Sequence, residues 1–187
     1  MRGNRGFTLI EVIVVAAIIA ILAGILVPMI FNQIDEAKKT RAMGECKSIS
    51  TAILMFRKDA SKWPLFFPDD CANTYLTLAS DGSDPVNVSG DWKISQNENT
   101  LTAMLNLPVI DPLIACYNNK TALNYMPQAP PDPWGNKYIV NVVNFANSNP
   151  VWVLSAGPNG VVDTSVNSSS LNDVGGANGD DIGVRIK

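Results

Sequence analysis

The 187-residue sequence contains no histidine. This absence excludes His-based catalytic triads, histidine metal ligands and the usual general base near neutral pH. Chemistry that uses only carboxylates or cysteine stays open, but the lack of histidine favours a protein that is not an enzyme. Basic charge is also not in excess, because the formal net charge is −3. We therefore expect no nucleic-acid partner.

Cysteine is scarce as well. The three cysteines stand at positions 46, 71 and 116 without a C-x-x-C pair, which argues against zinc or thioredoxin-like chemistry. Cys46 falls in a helical pattern, whereas Cys71 and Cys116 lie in the irregular middle of the chain. If that middle lies outside the cytoplasm, we expect a Cys71–Cys116 disulfide, with Cys46 left free or paired between chains.

One long apolar run dominates the N-terminal part of the chain. Val12 to Phe31 are twenty consecutive residues without a polar side chain, enough for a helix of roughly 30 Å that crosses a bilayer. A secretory signal peptide has a shorter apolar core and a small-residue cleavage site. Gly24 and Pro28 weaken the helical hydrogen-bond ladder, so we expect a kink or local melting between them.

A single carboxylate, Glu11, stands at the head of this run. An acidic residue at the centre of a membrane helix costs about 2.5–3.5 kcal/mol, so such residues usually have a partner. A cut between Gly6 and Phe7 would create an α-amino group on Phe7, one helical turn before Glu11. The resulting ion pair can close within one chain or between neighbouring helices, where it would fix their axial register. An ordinary single-span anchor leaves Glu11 unexplained.

The sequence R-G-F-T-L-I-E-V, from Arg5 to Val12, resembles the class III signal of type IV pilins and type II secretion pseudopilins. The resemblance covers roughly the first 60 residues. It implies that residues 1–6 are a leader, that a prepilin peptidase cuts after Gly6 and methylates Phe7, and that Glu11 mediates subunit assembly. It also places the family's helix-breaking proline at Pro28. Loss of the leader removes two arginines and changes the net side-chain charge to −5.

Orientation in the membrane does not follow from charge counting alone. Arg2 and Arg5 precede the apolar run, but Lys38, Lys39 and Arg41 follow it. The family resemblance and the cysteine argument imply a cytoplasmic N-terminus. We therefore expect a single-pass protein of the bacterial inner membrane, with its C-terminal domain in the periplasm.

The pattern after the apolar run is that of an amphipathic helix. From Asn32 to about Ser61, apolar residues recur at steps of three and four with charges between them. This stripe predicts packing against the protein's own globular domain. Its members are Ile34, Ala37, Met43, Cys46, Ile49, Ile53, Phe56 and Ala60. We expect a transmembrane and assembly helix over residues 7–31 and an extracytoplasmic domain over 32–187, which includes this amphipathic half.

The C-terminal part reads as a small antiparallel sheet. Tyr138–Phe145 and Val151–Ser155 are β-branched and aromatic runs joined by a turn-rich connection, which predicts a hairpin, and the sequence IGVRI predicts a third strand. Asn99–Leu107 fits either a short helix with Thr100 as N-cap or a poorly formed strand. We expect Trp134 and Trp152 in the core. The predicted fold class is α+β: a long N-terminal helix packed on a small C-terminal antiparallel sheet, as in pilins.

An oxygen-rich loop follows the hairpin. It contains Asp163, Asp173, Asp180 and Asp181; composition alone favours a solvated acidic loop, and the spacing is not that of an EF-hand. The sequences DPWGNKYIV, SAGPNG and GDDIG, however, resemble the C-terminal signature of the G-type major pseudopilin. The resemblance implies a calcium ion bound by Asp163, Asp180 and Asp181, assisted by Asn159 or nearby carbonyls. The Ser/Asn-rich insertion between Thr164 and Asn172 departs from that pattern.

These features predict a structural subunit of a type II secretion pseudopilus that polymerises into a helical filament aiding protein export. The expected partners are further copies of the chain, the prepilin peptidase, the inner-membrane assembly platform and the minor pseudopilins. Two alternatives stay open. One is a type IV pilus subunit serving adhesion, motility or DNA uptake; the other is a membrane-tethered extracytoplasmic enzyme or binding protein that never polymerises.

Overall fold

The structure is a computed structural model that describes residues 6–64, 77–87, 90–92, 100–106, 124–174 and 179–187. The chain divides into two compact units, Met1–Lys38 and Lys39–Lys187. The predicted disulfide between Cys71 and Cys116 lies outside the described residues. Among the described residues, Cys46 is a free, buried thiol.

The first element is helix α1, Leu9–Ala60, which is 52 residues long. Its apolar first half is exposed on all sides within the single chain. By length and composition alone it could cross a membrane, since its most apolar 18-residue window has a mean hydropathy of 3.0. A helix that is apolar all round needs lipid or other helices around it.

The helix runs through Gly24 and Pro28 without interruption. Local melting, one of the two predicted alternatives, is therefore not seen in α1, and the kink stays a prediction. A proline removes one backbone donor and crowds the carbonyl four residues earlier.

The second half of α1 buries one face in the unit Lys39–Lys187, as the stripe predicts. The face begins later than expected: Ile34 is 45% exposed, and Ala37 is exposed as well. The reason is that these two residues precede the unit against which the helix packs. The buried residues of α1 are Ala42, Cys46, Ile49, Ser50, Ala52, Ile53, Phe56 and Ala60.

The sheet has four strands in the order β1-β3-β4-β6, and all neighbours are antiparallel. Its strands are β1 Leu78–Ala79, β3 Ile139–Val140, β4 Trp152–Ser155 and β6 Ile182–Arg185. A separate parallel pair joins β2 Val86–Asn87 to β5 Val161–Val162. Helix α2, Thr100–Leu105, lies between β2 and β3 in the chain. The α+β class and the third strand at IGVRI are confirmed.

The hairpin pairs as predicted, but its first strand is shorter. β3 ends at Val140, and Val142–Phe145 form a 3-10 helix instead. Asn141 explains the change: its buried side chain accepts a hydrogen bond from Trp152 N (2.7 Å) and donates to the Pro150 carbonyl (3.1 Å). These side-chain bonds replace backbone ladder bonds.

The segment around Thr100 is a helix, which decides between the two predicted alternatives. Thr100 is its first helical residue rather than its N-cap. The Thr100 hydroxyl accepts from Ala79 N at 2.9 Å, so it ties α2 to β1.

The sheet has a core on each face. One cluster joins α1 to Val140 and Val153, and the other contains Ile139, Trp152 and Leu154 together with Trp92. Alternation along β3 and β4 sends successive side chains to opposite clusters. Trp152 is therefore a core residue as predicted, whereas Trp134 is half-buried and lies in neither cluster.

Candidate functional site

The N-terminal end of α1 carries the predicted processing and assembly residues. Gly6, Phe7 and Thr8 precede the helix without regular secondary structure, and Phe7 is 82% exposed. Exposed segments without regular secondary structure are preferred sites of proteolysis, and the peptide bond between Gly6 and Phe7 lies in such a segment.

Glu11 forms a capping box with Thr8. The Thr8 backbone N–H donates to Glu11 Oε2 at 2.8 Å, and the Thr8 hydroxyl donates to the same oxygen at 2.7 Å. The Glu11 backbone N–H in turn points to Thr8 Oγ1 at 3.4 Å. This reciprocal arrangement satisfies donors that would be orphaned at the first turn.

Sequence reasoning missed this role, although its signature was visible. Thr8 and Glu11 form the pattern T-x-x-E directly before an apolar run, which is the sequence sign of a capping box. Glu11 thus has an intrachain partner before any cut at Gly6. A cut would create the Phe7 amine next to Thr8. The Glu11 carboxylate would then have two possible partners, the Thr8 groups that it already binds and the new cation.

The acidic loop is folded back on the end of β4. Gly157 has φ +66°, and a Cβ at this position would meet the Asp180 carbonyl oxygen at 2.3 Å. Only glycine permits this approach, because it tolerates the left-handed conformation and has no side chain. Gly157 therefore allows the sequence GDDIG to pack directly against the sequence SAGPNG.

Three of the four predicted metal ligands are joined by hydrogen bonds through this contact. The Asn159 backbone N–H donates to Asp180 Oδ2 at 3.1 Å, and the Asn159 amide nitrogen donates to Asp163 Oδ2 at 3.3 Å. Asn159 Oδ1 accepts from Val161 N at 2.6 Å, so it is already used in the turn. Asn159 thus donates hydrogen bonds to two carboxylates, those of Asp163 and Asp180.

Asp181 is the fourth predicted ligand and is only 5% exposed. Its Oδ2 accepts from Asp163 N at 2.8 Å and from the Thr164 hydroxyl at 2.6 Å. Asn172 completes the arrangement, since its side-chain oxygen accepts from Asp181 N and its own N–H donates to Thr164 Oγ1, both at 2.9 Å. The two ends of the Ser/Asn insertion therefore hold this carboxylate in place.

Each of the two adjacent carboxyl groups keeps one buried oxygen without a hydrogen-bond partner among the residues that the structure describes. These atoms are Asp180 Oδ1 and Asp181 Oδ1. Burial, together with the charges of Asp163 and Asp180, raises the pKa of Asp181 to about 7. Burial also raises the pKa of Asp180, although Lys39 opposes the rise. Unpaired buried carboxylate oxygens are costly unless a proton or a cation satisfies them.

The fit to a cation rests on these oxygens rather than on a ready-made cluster. In the described part of the chain, no three acidic or cysteine side chains are arranged as a metal-binding group. Calcium also accepts backbone carbonyls and water, and its sites adapt in geometry. The oxygens present fit a calcium ion by their chemistry: two orphaned carboxylate oxygens next to a third carboxylate.

Side chains from other parts of the chain donate hydrogen bonds to backbone carbonyls in and next to the insertion 165–171. Asn144, 1% exposed, donates to the Val166 carbonyl at 2.9 Å, and the indole N–H of Trp152 donates to the Ser168 carbonyl at 2.9 Å. The indole N–H of Trp92 donates to the Thr164 carbonyl at 2.6 Å. These hydrogen bonds connect residues far apart in sequence, so no local sequence pattern could predict them.

Cys46 does not provide a reactive thiol. Burial raises its pKa to about 12, and Sγ points to the Ile182 carbonyl at 3.7 Å. Because the thiolate is the nucleophile, a raised pKa in an apolar core makes this cysteine inert.

Comparisons with known proteins agree with the N-terminal geometry. Residues 1–27 match the family model described as a prokaryotic N-terminal methylation motif. The chain is 29% identical to the type II secretion system core protein G of Escherichia coli (strain K12) over 161 residues, 86% of each chain.

Two further relatives carry the same name. Core protein G of Pseudomonas aeruginosa is 29% identical over 137 residues, which covers 73% of this chain and 72% of the relative. That of Dickeya chrysanthemi is 25% identical over 185 residues, 95% and 97% of the two chains. No solved structure gives a significant match. The resemblance to pilin-like proteins, and to the G type among them, is confirmed.

Proposed function

We propose that this chain is a major pseudopilin, the repeating subunit of a type II secretion pseudopilus. The observation that carries the proposal is the exposed Gly6–Phe7 segment placed directly before Glu11 and an uncovered apolar helix. The methylation motif and the relatives named core protein G support it. Those names favour the secretion filament over a type IV pilus.

The chemistry is assembly rather than turnover. The leader holds the chain for prepilin peptidase, which cuts after Gly6 and methylates Phe7. In the membrane, the first half of α1 is covered by lipid; in the filament, neighbouring copies of the same helix cover it. Glu11 then pairs with the Phe7 amine of its own chain or of a neighbour, and an ion pair in such apolar surroundings fixes the register.

The capping box makes a sharper test possible than removal of the side chain. Glu11→Gln keeps an oxygen that can accept from Thr8, but it lacks the charge for an ion pair. Thr8→Ala keeps the charge and the backbone N–H of residue 8, and it removes the hydroxyl part of the cap. We expect Glu11→Gln to abolish filament assembly in whole cells, while Thr8→Ala assembles at close to the wild-type level.

The reverse result, with Glu11→Gln assembling normally and Thr8→Ala failing, would show that Glu11 acts only as a helix cap. A non-polymerising, membrane-tethered enzyme or binding protein predicts a third result: neither variant changes the state of the chain, because wild type forms no filament. Electron microscopy of sheared filaments and immunoblots of the sheared fraction separate the three.

We further propose that the loop binds calcium through Asp163, Asp180 and Asp181, with Asn159 bracketing the first two. Calcium would supply charge neutralisation to the orphaned oxygens and hold the loop against β4. Titration calorimetry with Ca²⁺ on the purified full chain tests this. We expect binding that Asp181→Asn removes, whereas Asp173→Asn leaves binding intact, because Asp173 is exposed and is not among the residues with a buried unpartnered oxygen.

The remaining elements of the proposal concern location and partners. The C-terminal domain lies in the periplasm, anchored by α1 in the inner membrane, until the subunit enters the filament. The partners are further copies of the chain, the prepilin peptidase, the inner-membrane assembly platform and the minor pseudopilins. Protease treatment of spheroplasts tests the orientation: a periplasmic domain is digested, and a cytoplasmic one is protected.

A further inference from the structure

Charge is distributed unevenly along this chain. Residues 32–62 hold seven Lys and Arg against four Asp and Glu, whereas residues 63–187 hold five against twelve. Opposite charges on different parts of one molecule favour contact between copies, because they steer association and penalise wrong orientations.

An open groove lies on the basic part, between α1 and the start of β6. We call it the basic groove; its lining residues are Lys39, Thr40, Met43, Gly44, Lys47 and Ile182. Lys39, Met43 and Lys47 share one helix face at steps of four. The two lysines thus stand about 12 Å apart along the axis, with Met43 between them.

Gly44 keeps this groove open. An ideal Cβ at Gly44 meets no atom of the described residues within 4 Å, so none of those residues requires a glycine there. Glycine in a helix interior is normally unfavourable relative to alanine. Its presence on an exposed helix face is explained if another surface must approach the helix closely.

A complementary surface lies on the acidic part of the chain. In the segment Asp81–Val86, Val86 is 62% exposed, and the exposed residues Asp81 and Asp84 precede it. Asp84 is ion-paired with Lys137 of its own chain at 2.7 Å, so Asp81 carries the negative charge offered to a second copy. The segment therefore presents an apolar side chain close to a negative charge, the counterpart of Met43 between lysines.

The segment Asp81–Val86 is also rigid. Asp81 N donates to the Ala129 carbonyl at 3.1 Å, Ser83 N donates to the Gly135 carbonyl at 2.9 Å, and Val86 N donates to the Gly160 carbonyl at 2.8 Å. Gly82 has φ +127°, and a Cβ there would come within 2.9 Å of backbone atoms at 135–136. A segment held this way loses little conformational entropy on binding, which favours a docking element.

We propose that the basic groove of one subunit receives the segment Asp81–Val86 of a second copy of this chain. The two surfaces share no residue, so the contact is heterologous: each copy offers one surface to one neighbour and the other surface to the next. Such contacts do not close on themselves unless the rotation forms a ring, and they generate helical filaments. The inference rests on the proposed function, since it assumes that copies polymerise.

The first experiment fills the groove. Gly44→Gln places a side chain where the structure has open space, and it also removes a helix-interior glycine. We expect this variant of the full chain to melt no lower than wild type in detergent, yet to form at least about tenfold less sheared filament, because a blocked contact costs the docking energy. The matched control is Ser48→Gln, one turn further along the exposed helix surface, which should assemble normally.

The second experiment exchanges charge. Lys47→Asp and Asp81→Lys should each reduce filament yield by about tenfold, since each places like charges in contact. The double variant restores the pair in reversed polarity and should recover most of the yield. Lys47 is preferred to Lys39, because Lys39 also interacts with Asp180 of its own chain.

A cross-link gives the direct readout. Gly44→Cys combined with Val86→Cys should yield a ladder of disulfide-linked oligomers in oxidised filaments, and Ser48→Cys with Val86→Cys should not. The inference is overturned if Gly44→Gln assembles like its control, if the charge exchange fails to recover, or if no ladder forms in normal filaments. Failure of wild type to form any filament would instead overturn the proposed function itself.

Discussion

At the scale of single residues, Gly157 shows how one position holds the candidate cation site together. Gly157→Ala places a Cβ at 2.3 Å from the Asp180 carbonyl oxygen on a backbone with φ +66°. We expect it to destabilise the chain by about 2 kcal/mol or more. The loss should show as a lower Tm by circular dichroism.

The matched control is Gly90→Ala. Gly90 has nearly the same backbone angle, φ +69°, but no atom of the described part of the chain lies within 4 Å of its Cβ position. It therefore carries the conformational strain without the clash. Equal losses of stability in the two variants would mean that the approach of Asp180 to Gly157 does not matter.

Asp181 predicts a pH dependence of stability. Its folded-state pKa of about 7 lies above the unfolded value of about 3.9, so the folded chain holds a proton that the unfolded chain has lost. In the metal-free chain, this contribution to stability is fully present below pH 4 and is lost as the pH rises through 7. Calorimetry should therefore show the Asp181 contribution lowering the Tm between pH 5 and pH 8.

Two comparisons isolate this effect. Asp181→Asn cannot titrate and should flatten the pH profile over that interval. Calcium competes with the proton, so added Ca²⁺ should raise the Tm more at pH 8 than at pH 5. An unchanged profile in Asp181→Asn would assign the titration to another group.

At the scale of the elements, the two faces of α1 in the unit Lys39–Lys187 have different tasks. Phe56 is fully buried against the sheet, whereas Leu54 is 45% exposed. We expect Phe56→Ala to cost about 3–5 kcal/mol in the free energy of unfolding and Leu54→Ala to change it by less than about 0.5 kcal/mol. Denaturant titration of both variants in detergent measures the contrast.

If Leu54→Ala proved as destabilising as Phe56→Ala, the assignment of inner and outer faces would be wrong. A smaller effect of Leu54→Ala on stability would leave open a role of Leu54 in assembly. Loss of filament without loss of stability in Leu54→Ala would place that residue in a contact between subunits.

The elements also show what the sequence could reveal. Periodicity predicted α1 and its buried face from Cys46 onward, because burial follows the spacing of apolar residues. It misjudged Ile34 and Ala37, since the same spacing continues beyond the unit that provides a partner. The pairing of Tyr138–Phe145 with Val151–Ser155 was right, but Asn141 ends β3 early through side-chain bonds that β-propensity does not describe.

The residues of the candidate site also differ in whether the sequence could identify them. Asp163, Asp180 and Asp181 were identified because their surrounding sequence resembles a known signature. The roles of Thr164, Asn172 and Gly157 depend on the fold that brings 157–164 to 172–181, so no local pattern could assign them. The capping box of Thr8 and Glu11 differs from these residues, since the local pattern T-x-x-E indicates it.

At the scale of the whole molecule, the proposed cut after Gly6 would give the chain two states, one before the cut and one after it. Before it, Glu11 caps its own helix through Thr8. After it, the proposed Phe7 amine gives the same carboxylate a partner that aligns subunits. In the proposed filament, the apolar half of α1 would form the shared interior, and the unevenly charged globular part would form the outer contacts.

The mass of the mature chain, measured on protein purified from membranes of its native host, tests this account most directly. We predict a chain that begins at Phe7 and carries one added methyl group on its N-terminal nitrogen, with the six leader residues absent. A chain that still begins at Met1 in assembled or membrane fractions would contradict the central claim, because the ion-pair partner of Glu11 would then never exist.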